Sequence, residues 1–208
     1  MAKKRDLADR LIDAALRLAV KRGWRNVTLA EIARAAGASL AETYRIMPSR
    51  SAVLDAFARR IDAEVLAADA VEKDSLRPRD RIFDVLMRRF DALQRHRKSV
   101  AAILRDSGRD PVALLASAPQ FLRSMRWMGE AAGLPMDGLG GLLRTHAIGT
   151  AWAATLRTWL ADETPDLART MAALDQRLRC AERLGAFGCG ERGKETGQAA
   201  PAGAAPPG

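Results

Sequence analysis

The stretch TLAEIARAAGASLAETYRIMPSR, residues 28–50, decides the fold of this 208-residue chain. It contains two capping boxes, Thr28–Glu31 and Ser39–Glu42. In such a box the hydroxyl of the first residue caps a helix, and the carboxylate of the fourth reaches back to the cap backbone. Gly37 supplies a left-handed stop between the boxes, and Pro48 disfavours helical backbone in the residue before it. The pattern predicts two short helices joined by a tight turn.

Further helices flank this pair on both sides. Apolar residues recur at helical spacing over residues 7–18 and again over residues 54–65. Gly23 stops the first of these helices, and Ser49 caps the second. Two short helices braced by a helix before and after them are the pattern of a helix-turn-helix.

The remainder of the chain is also predicted to be helical. Apolar spacing typical of helices covers residues 82–93, 100–104, 121–132 and 139–160. Thr164, Pro165 and Asp166 predict the start of a last helix, as cap, first-turn proline and first-turn acid. This helix should end near Leu184. Since no strand pattern and no internal repeat occurs in the sequence, we expect an all-α protein.

The helical pattern divides the chain into three segments. We expect an N-terminal three-helix, helix-turn-helix module over residues 1–50 and a larger helical domain over residues 51–184. Residues 185–208 are rich in Gly, Ala and Pro, and they hold too few apolar side chains to offset the entropy of ordering them. We therefore expect a disordered tail.

The charge of the chain favours an anionic partner. Its formal net charge is +9, and residues 1–60 hold 13 Lys or Arg against 6 Asp or Glu. Such a local excess favours nucleic acid over a membrane surface. No apolar run reaches the roughly 20 residues that span a bilayer, and Cys180 and Cys189 are placed where a disulfide would staple no core. We expect a cytoplasmic protein without integral membrane association.

The sequence offers little for catalysis or metal binding. His96 and His146 lie at no metal-ligand spacing from Cys, Asp or Glu, and residues 138–141 are too short for a nucleotide fingerprint. No nucleophile motif occurs. We interpret His96 as a cation at a helix C-terminus, and His146 as a satisfied core histidine or a ligand contact. We expect no enzyme, catalytic residue, metal or cofactor.

Residues 11–54 carry a dense set of segments found together in one family. These are Ile12–Ala15, Lys21–Trp24, Val27–Thr28, Glu31–Ala33, Ala36–Gly37, Tyr44–Arg45 and Pro48–Arg50. Together they resemble the module of the TetR repressor family. The resemblance implies that the helix over residues 40–47 enters the major groove of a double-stranded DNA operator. It also implies that the larger domain binds an effector and forms a homodimer through Leu139–Leu160 and Pro165–Leu184.

The resemblance implies a set of DNA contacts. Phosphate contacts are expected from Thr28, Tyr44 and Arg50, because helix N-termini attract phosphate and a guanidinium can clamp it with two hydrogen bonds. Base contacts are expected from Ser39, Ala41, Thr43 and Arg45. Of these, Arg45 suits guanine and Thr43 suits the methyl group of thymine.

Aromatic and thioether side chains in the larger domain are candidates for an effector pocket. They are Phe121, Met125, Trp127, Met128, Trp152 and Trp159, with His146 as a polar partner. Such side chains hold apolar small molecules well. The other interpretation is that they only pack the core.

A second resemblance leaves an alternative function open. The recognition helix departs from the family at Leu40, Ile46 and Met47, and Glu42 is an acid close to the expected phosphates. The segments Thr155–Leu160, Asp162–Thr164 and Thr170–Leu178 are similar to the end of TetR-fold, lipid-binding accessory proteins of ubiquinone biosynthesis. The leading hypothesis is a repressor released by an apolar small molecule, and the alternative is such a lipid-binding protein.

Overall fold

The computed structural model describes residues 2–67, 76–107 and 111–187. Within these ranges it holds nine α-helices, a 3-10 turn at Trp24–Asn26 and no strand. The helices are α1 (Ala2–Arg22), α2 (Leu29–Ala35), α3 (Leu40–Ile46), α4 (Arg50–Ala67), α5 (Pro78–Gln94), α6 (Arg97–Ser107), α7 (Pro111–Ala131), α8 (Gly138–Ala161) and α9 (Ala168–Arg183). The all-α prediction is confirmed.

Both predicted capping boxes form. The Thr28 hydroxyl accepts from the backbone N–H of Glu31 at 3.3 Å, and the Thr28 N–H donates to the Glu31 carboxylate at 2.9 Å. Ser39 and Glu42 make the same reciprocal pair at 3.2 and 3.0 Å. Gly37 adopts the left-handed backbone that ends α2, with φ of 66°. Two helices of only seven residues are thus defined by local hydrogen bonds.

Helix α4 connects the two parts of the chain. It packs against α1 on one side and against α5 and α7 on the other. The predicted face of α5 is buried, with Ile82, Leu86 and Phe90 fully covered. Helices α7, α8 and α9 complete the larger bundle, in which the Trp159 indole N–H donates to the Gln94 side chain at 3.0 Å. One continuous core therefore runs from α1 to α9.

Helix α7 begins earlier than predicted. We expected its start at Phe121, whereas the helix begins at Pro111 and continues through Pro119. A proline inside a helix removes one backbone hydrogen bond, so Pro119 favours a helix boundary. Packing overrides this preference in α7. The sequence also predicts a break over Gly108–Pro111, and residues 108–110 lie outside the described residues. The predicted C-terminus is found, because Gly133 is left-handed and the Leu134 N–H donates to the Gly129 carbonyl at 3.0 Å.

The predicted start of the last helix is wrong. Thr164, Pro165 and Asp166 form a turn, Leu167 is left-handed with φ of 55°, and α9 begins only at Ala168. The buried carboxylate of Asp162 organises this turn. It accepts from the N–H and hydroxyl of Thr164 at 3.1 and 2.6 Å, and from those of Thr170 at 2.8 and 2.7 Å.

We expect Asp162→Asn to lower the free energy of unfolding by about 2 kcal/mol at pH 7, because hydrogen bonds to a charged acceptor are the strong ones. Burial alone raises the pKa of Asp162, but the hydrogen bonds from Thr164 and Thr170 outweigh it and hold the pKa well below 3.8. A depressed pKa stabilises the fold above the unfolded-state value and loses that effect as the pH falls. Urea unfolding should therefore show a difference between the proteins that shrinks below about pH 4.

Asp166→Asn is the matched control for Asp162→Asn. Asp166 is exposed and accepts a single hydrogen bond, from the Ala168 N–H at 3.2 Å. Its replacement should cost less than about 1 kcal/mol. Equal losses for the two variants, or a loss for Asp162→Asn that does not depend on pH, would contradict the role given to Asp162.

The end of the described chain lies at Phe187, whose side chain is buried. The predicted tail begins at residue 185, and residues 188–208 lie outside the described residues. No helix in the described ranges is both long enough and apolar enough to cross a membrane.

Candidate functional site

Helix α3 presents one continuous exposed surface. Ser39 at its N-cap and Leu40, Ala41, Tyr44 and Arg45 along it are all exposed, and Tyr44 is 67% accessible. The Arg45 guanidinium lies back along the helix, where its Nε–H donates to the Ala41 carbonyl at 3.3 Å. A helix of seven residues with a phenol and a guanidinium on its outer face can enter a groove as a unit.

The inner face of α3 holds the side chains that dock it. Thr43 is fully buried, and its hydroxyl donates to the Ser39 carbonyl at 3.0 Å. The predicted base contact from Thr43 is therefore wrong, because its methyl group faces the protein interior. Met47 is buried, and Ile46 packs against the core. These two departures from the family pattern belong to packing and leave the outer face unchanged.

Glu42 acts as a capping residue. Its carboxylate accepts from the N–H and the hydroxyl of Ser39, at 3.0 and 2.7 Å. Glu31 caps α2 in the same way. Hydrogen bonds from the backbone and side chain of Thr28 and from Arg22 lower the pKa of Glu31. Each of the two carboxylates thus caps the N-terminus of the helix that begins at its own capping box.

Arg50 braces the turn before α2. One guanidinium nitrogen donates to the carbonyls of Trp24, Arg25 and Val27 at 3.1 to 3.2 Å, and the guanidinium carbon lies 5.6 Å from the centre of the Trp24 ring. Arg50 is nevertheless exposed at the surface. The residue has a positioning role in addition to any contact with phosphate.

A cavity of about 220 Å³ lies in the larger bundle. Its apolar wall is formed by Leu54, Phe57, Ile61, Leu93, Val100, Ile103, Leu104, Phe121, Trp152 and Leu156. These residues come from α4, α5, α6, α7 and α8. Concave apolar sites between the helices of a bundle are typical places for small-molecule binding.

A buried charge pair lies at the wall of this cavity. Arg89 forms an ion pair with Asp62 and donates to the Ser124 hydroxyl at 2.7 Å, and that hydroxyl donates to Asp62 at 2.9 Å. Burial lowers the pKa of Arg89, and Asp62 opposes this shift. The Arg89 guanidinium carbon also lies 5.1 Å from the centre of the Trp152 ring.

Residues 11–57 match the family model described as bacterial regulatory proteins, tetR family. The N-terminal part of the chain is therefore similar to the TetR family over these residues. The whole described chain is similar in fold to TetR transcriptional regulators of known structure. That from Nitrosomonas europaea ATCC 19718 has 24% sequence identity and a TM-score of 0.66, with 85% of this chain and 98% of that chain covered.

Two further TetR-type structures agree with this fold. A TetR transcriptional regulator from Rhodococcus sp. RHA1 has 20% identity and a TM-score of 0.64, covering 86% of this chain and 97% of its own. A tetR-family regulator from Streptomyces coelicolor has 20% identity and a TM-score of 0.53, covering 86% and 83%. No curated protein sequence matches the chain. The chain thus joins a segment that matches the tetR family model to a fold that it shares with TetR transcriptional regulators.

Only some of the residues that we predict to bind an effector line the cavity. Phe121 and Trp152 do so. Met125, Met128 and Trp159 are fully buried and are not among the residues that line it, whereas Trp127 is exposed. The sequence interpretation missed Arg89 and Asp62. The sequence could have indicated Arg89, because this charged residue precedes Phe90 and lies on the apolar face of α5.

The structure contradicts the cation predicted for His96 and the core position predicted for His146, and the ligand contact of His146 stays a prediction. His96 follows α5, but its ring packs edge-on against Phe57 at 5.2 Å between ring centres. Burial, followed by Arg60 and Arg95, lowers the pKa of His96, which disfavours the cation we expected. His146 is exposed on α8, with its Nδ1 2.8 Å from the Leu142 carbonyl, so it is not a core histidine. No group of three potential metal ligands occurs in the part of the chain that the structure describes.

Helix α6 connects the cavity to the TetR module. Val100, Ile103 and Leu104 form cavity wall, and Asp106 at the other end of α6 accepts from the Arg25 N–H at 3.0 Å. Helix α6 also packs against α1. A displacement of α6 would therefore move Asp106 and change its hydrogen bond to the turn that precedes α2.

Helix α8 carries an exposed stripe on the surface of the bundle. We define this stripe by Leu139, Leu143, His146, Thr150, Ala153 and Arg157, all of which are exposed. The spacing alternates between four and three residues, as in helices that pack along a partner helix. Leu139 and Leu143 are 73% and 60% accessible, although most leucines of the chain are covered.

Proposed function

We propose that the chain is a DNA-binding transcriptional repressor that acts as a homodimer and is released by an apolar small molecule. The observation that carries the proposal is the exposed outer face of α3, with Tyr44 and Arg45 accessible on a TetR-family module. Residues 1–50 would bind DNA, residues 51–184 would bind the effector and the second copy, and residues 185–208 would form a tail.

The proposed DNA contacts divide by chemistry. Tyr44, Thr28 and the free edge of Arg50 would hold phosphates, which fix the position of the protein but carry no sequence information. Arg45, Ser39 and Ala41 would face base edges in the major groove, with Arg45 suited to guanine. The local excess of positive charge in residues 1–60 supports the same assignment.

The proposed control by a small molecule is supported by the geometry of α6. A ligand in the cavity contacts Val100, Ile103 and Leu104, and the same helix reaches the turn before α2 through Asp106. A ligand changes DNA affinity only if it binds one conformation better than the other. A shift of α6 would supply two such conformations, since it would alter the cavity wall and the support of α2 together.

The proposed homodimer is supported by the stripe on α8. In a two-fold dimer the same surface of each copy is covered by the other, so exposed leucines at helical packing spacing find a matching partner. A dimer also presents two α3 helices to DNA. Their expected separation is about one helical turn of DNA, 34 to 36 Å.

Selection of genomic DNA fragments by the purified protein tests the function without presupposing a site. We expect enrichment of one pseudo-palindromic sequence, because a two-fold protein matches a two-fold operator. Tyr44→Ala should lose this enrichment while keeping its helical circular dichroism spectrum, since Tyr44 is exposed and its removal leaves no cavity. Fragments without a common sequence, together with stable binding of an isoprenoid lipid, would instead favour the lipid-binding function.

A further inference from the structure

Two buried hydrogen-bond donors at the cavity wall have no acceptor among the residues that the structure describes. The Nε–H of Arg89 and the indole N–H of Trp152 are both buried, and neither has a hydrogen-bond partner in the described ranges. The two side chains are at least nine-tenths covered, and both line the cavity. The Arg89 guanidinium carbon lies 5.1 Å from the Trp152 ring centre, so the two side chains are neighbours in the cavity wall.

Buried donors without partners are costly. Most buried polar groups in proteins are hydrogen-bonded, and an unpaired one loses its hydration without compensation. Two such groups in contact at the wall of one mainly apolar cavity indicate that a ligand supplies the acceptor. Trp159 shows the contrast, because its indole N–H is satisfied inside the protein by Gln94.

The charges around the cavity decide the kind of acceptor. The positive charge of Arg89 is balanced by Asp62, with Ser124 between them. Asp55 also lines the cavity and adds a second carboxylate. A ligand carboxylate would therefore add negative charge to a site that already carries more acid than base. An uncharged oxygen accepts the same hydrogen bonds without that penalty.

The volume limits the size of the ligand. A cavity of about 150 Å³ in another protein holds benzene. The present 220 Å³ therefore suits one ring with a small substituent, or an aliphatic ligand of similar size. The rings of Phe57 and Phe121 contribute aromatic surface to the wall, which suits a planar ligand.

We infer that the cavity binds an uncharged, mainly apolar molecule of this size whose carbonyl-type oxygen accepts hydrogen bonds from Arg89 and Trp152. The inference rests on the proposed small-molecule control and specifies its ligand class. It goes beyond that proposal because it excludes carboxylates and purely hydrocarbon ligands as the preferred occupants.

Three probes of nearly equal shape separate these classes. Acetophenone carries the carbonyl oxygen, α-methylstyrene replaces that oxygen with a methylene group, and benzoate carries a charge. Titration of the full chain at pH 7.5, followed by two-dimensional nuclear magnetic resonance, gives an affinity for each. We expect acetophenone to bind, and benzoate to bind at least about tenfold more weakly because its charge must be buried.

The indole N–H signals report the site directly. The chain has four tryptophans, and Trp152→Phe assigns the Trp152 signal by its loss. Acetophenone should move that signal, as a new hydrogen bond does, and leave the Trp159 signal in place because Trp159 already donates to Gln94. Unchanged signals from the other three indoles in Trp152→Phe show that the variant is folded.

The variant also measures the hydrogen bond. Trp152→Phe should weaken acetophenone by about three- to tenfold and leave α-methylstyrene within about twofold, since only the ketone loses a donor. Equal effects on both probes, or tighter binding of benzoate than of acetophenone, would overturn the inferred ligand class while leaving small-molecule control intact. If none of the probes binds, the inferred ligand class fails. DNA binding is judged separately by the fragment selection.

Discussion

Leu143→Glu should convert a dimer into a monomer and reduce operator affinity by at least about 100-fold. Leu143 is 60% accessible on the stripe of α8, where a two-fold partner would bury it. A buried carboxylate without a partner opposes association, so the protein should run at 22.6 kDa in light scattering and not at twice that mass. The affinity falls because two linked half-site contacts exceed a single one by about 10²- to 10⁴-fold.

Leu66→Glu provides a matched control for this change. Leu66 is also an exposed leucine, at 41%, but it lies on α4 away from the stripe. This control should remain dimeric and bind the operator as the unmodified protein does. If the unmodified protein is a monomer at micromolar concentration, the dimer is removed from the proposal. If Leu143→Glu is still a dimer, the interface lies on another surface.

Operator affinity should fall by about 10³- to 10⁵-fold between 50 and 200 mM salt, if the dimer neutralises about six to ten phosphates. The slope of log K against log salt should be about −0.9 for each phosphate contact. Fluorescence anisotropy with a labelled operator measures this slope. A slope near zero would contradict an interface built on Tyr44, Thr28 and Arg50.

Arg45→Ala should act differently from a loss of phosphate contact. If Arg45 binds guanine through two hydrogen bonds, its removal costs about 1 to 3 kcal/mol at one base position and relaxes the preference there. Arg123→Ala removes the same charge from an exposed site on α7 and should leave affinity nearly unchanged. A uniform loss over all sequences in Arg45→Ala would place Arg45 on the phosphate backbone.

Local features of the helix-turn-helix could be predicted from the sequence. The capping boxes at Thr28 and Ser39 and the stop at Gly37 depend on residues within four positions of one another, so spacing alone specifies them. Thr43 could not be assigned in the same way. Its burial depends on how α3 docks against α1 and α2, and a threonine is compatible with either face.

Features of the larger domain depended on contacts between distant residues. The cavity joins five helices, and the partners Asp62 and Arg89 are 27 positions apart. The aromatic residues predicted to bind a ligand were chosen by type, yet type does not distinguish Trp152 at the cavity from Trp159 in the core. The start of α9 was also misplaced, because the left-handed Leu167 is uncommon for a branched side chain.

The ion pair between Asp62 and Arg89 has a consequence for the amount of protein in the cell. Apolar side chains of similar volume often stabilise a fold more than a buried ion pair does, so we expect the pair to leave the ligand-free protein less stable than an all-apolar core would. A ligand that binds only the folded state raises stability by mass action. Proteases and chaperones act on the unfolded fraction, and a change of 1 to 2 kcal/mol alters abundance several-fold. The protein should therefore persist longer where its proposed ligand is plentiful, so the molecule that we propose releases it from DNA would also protect it from turnover.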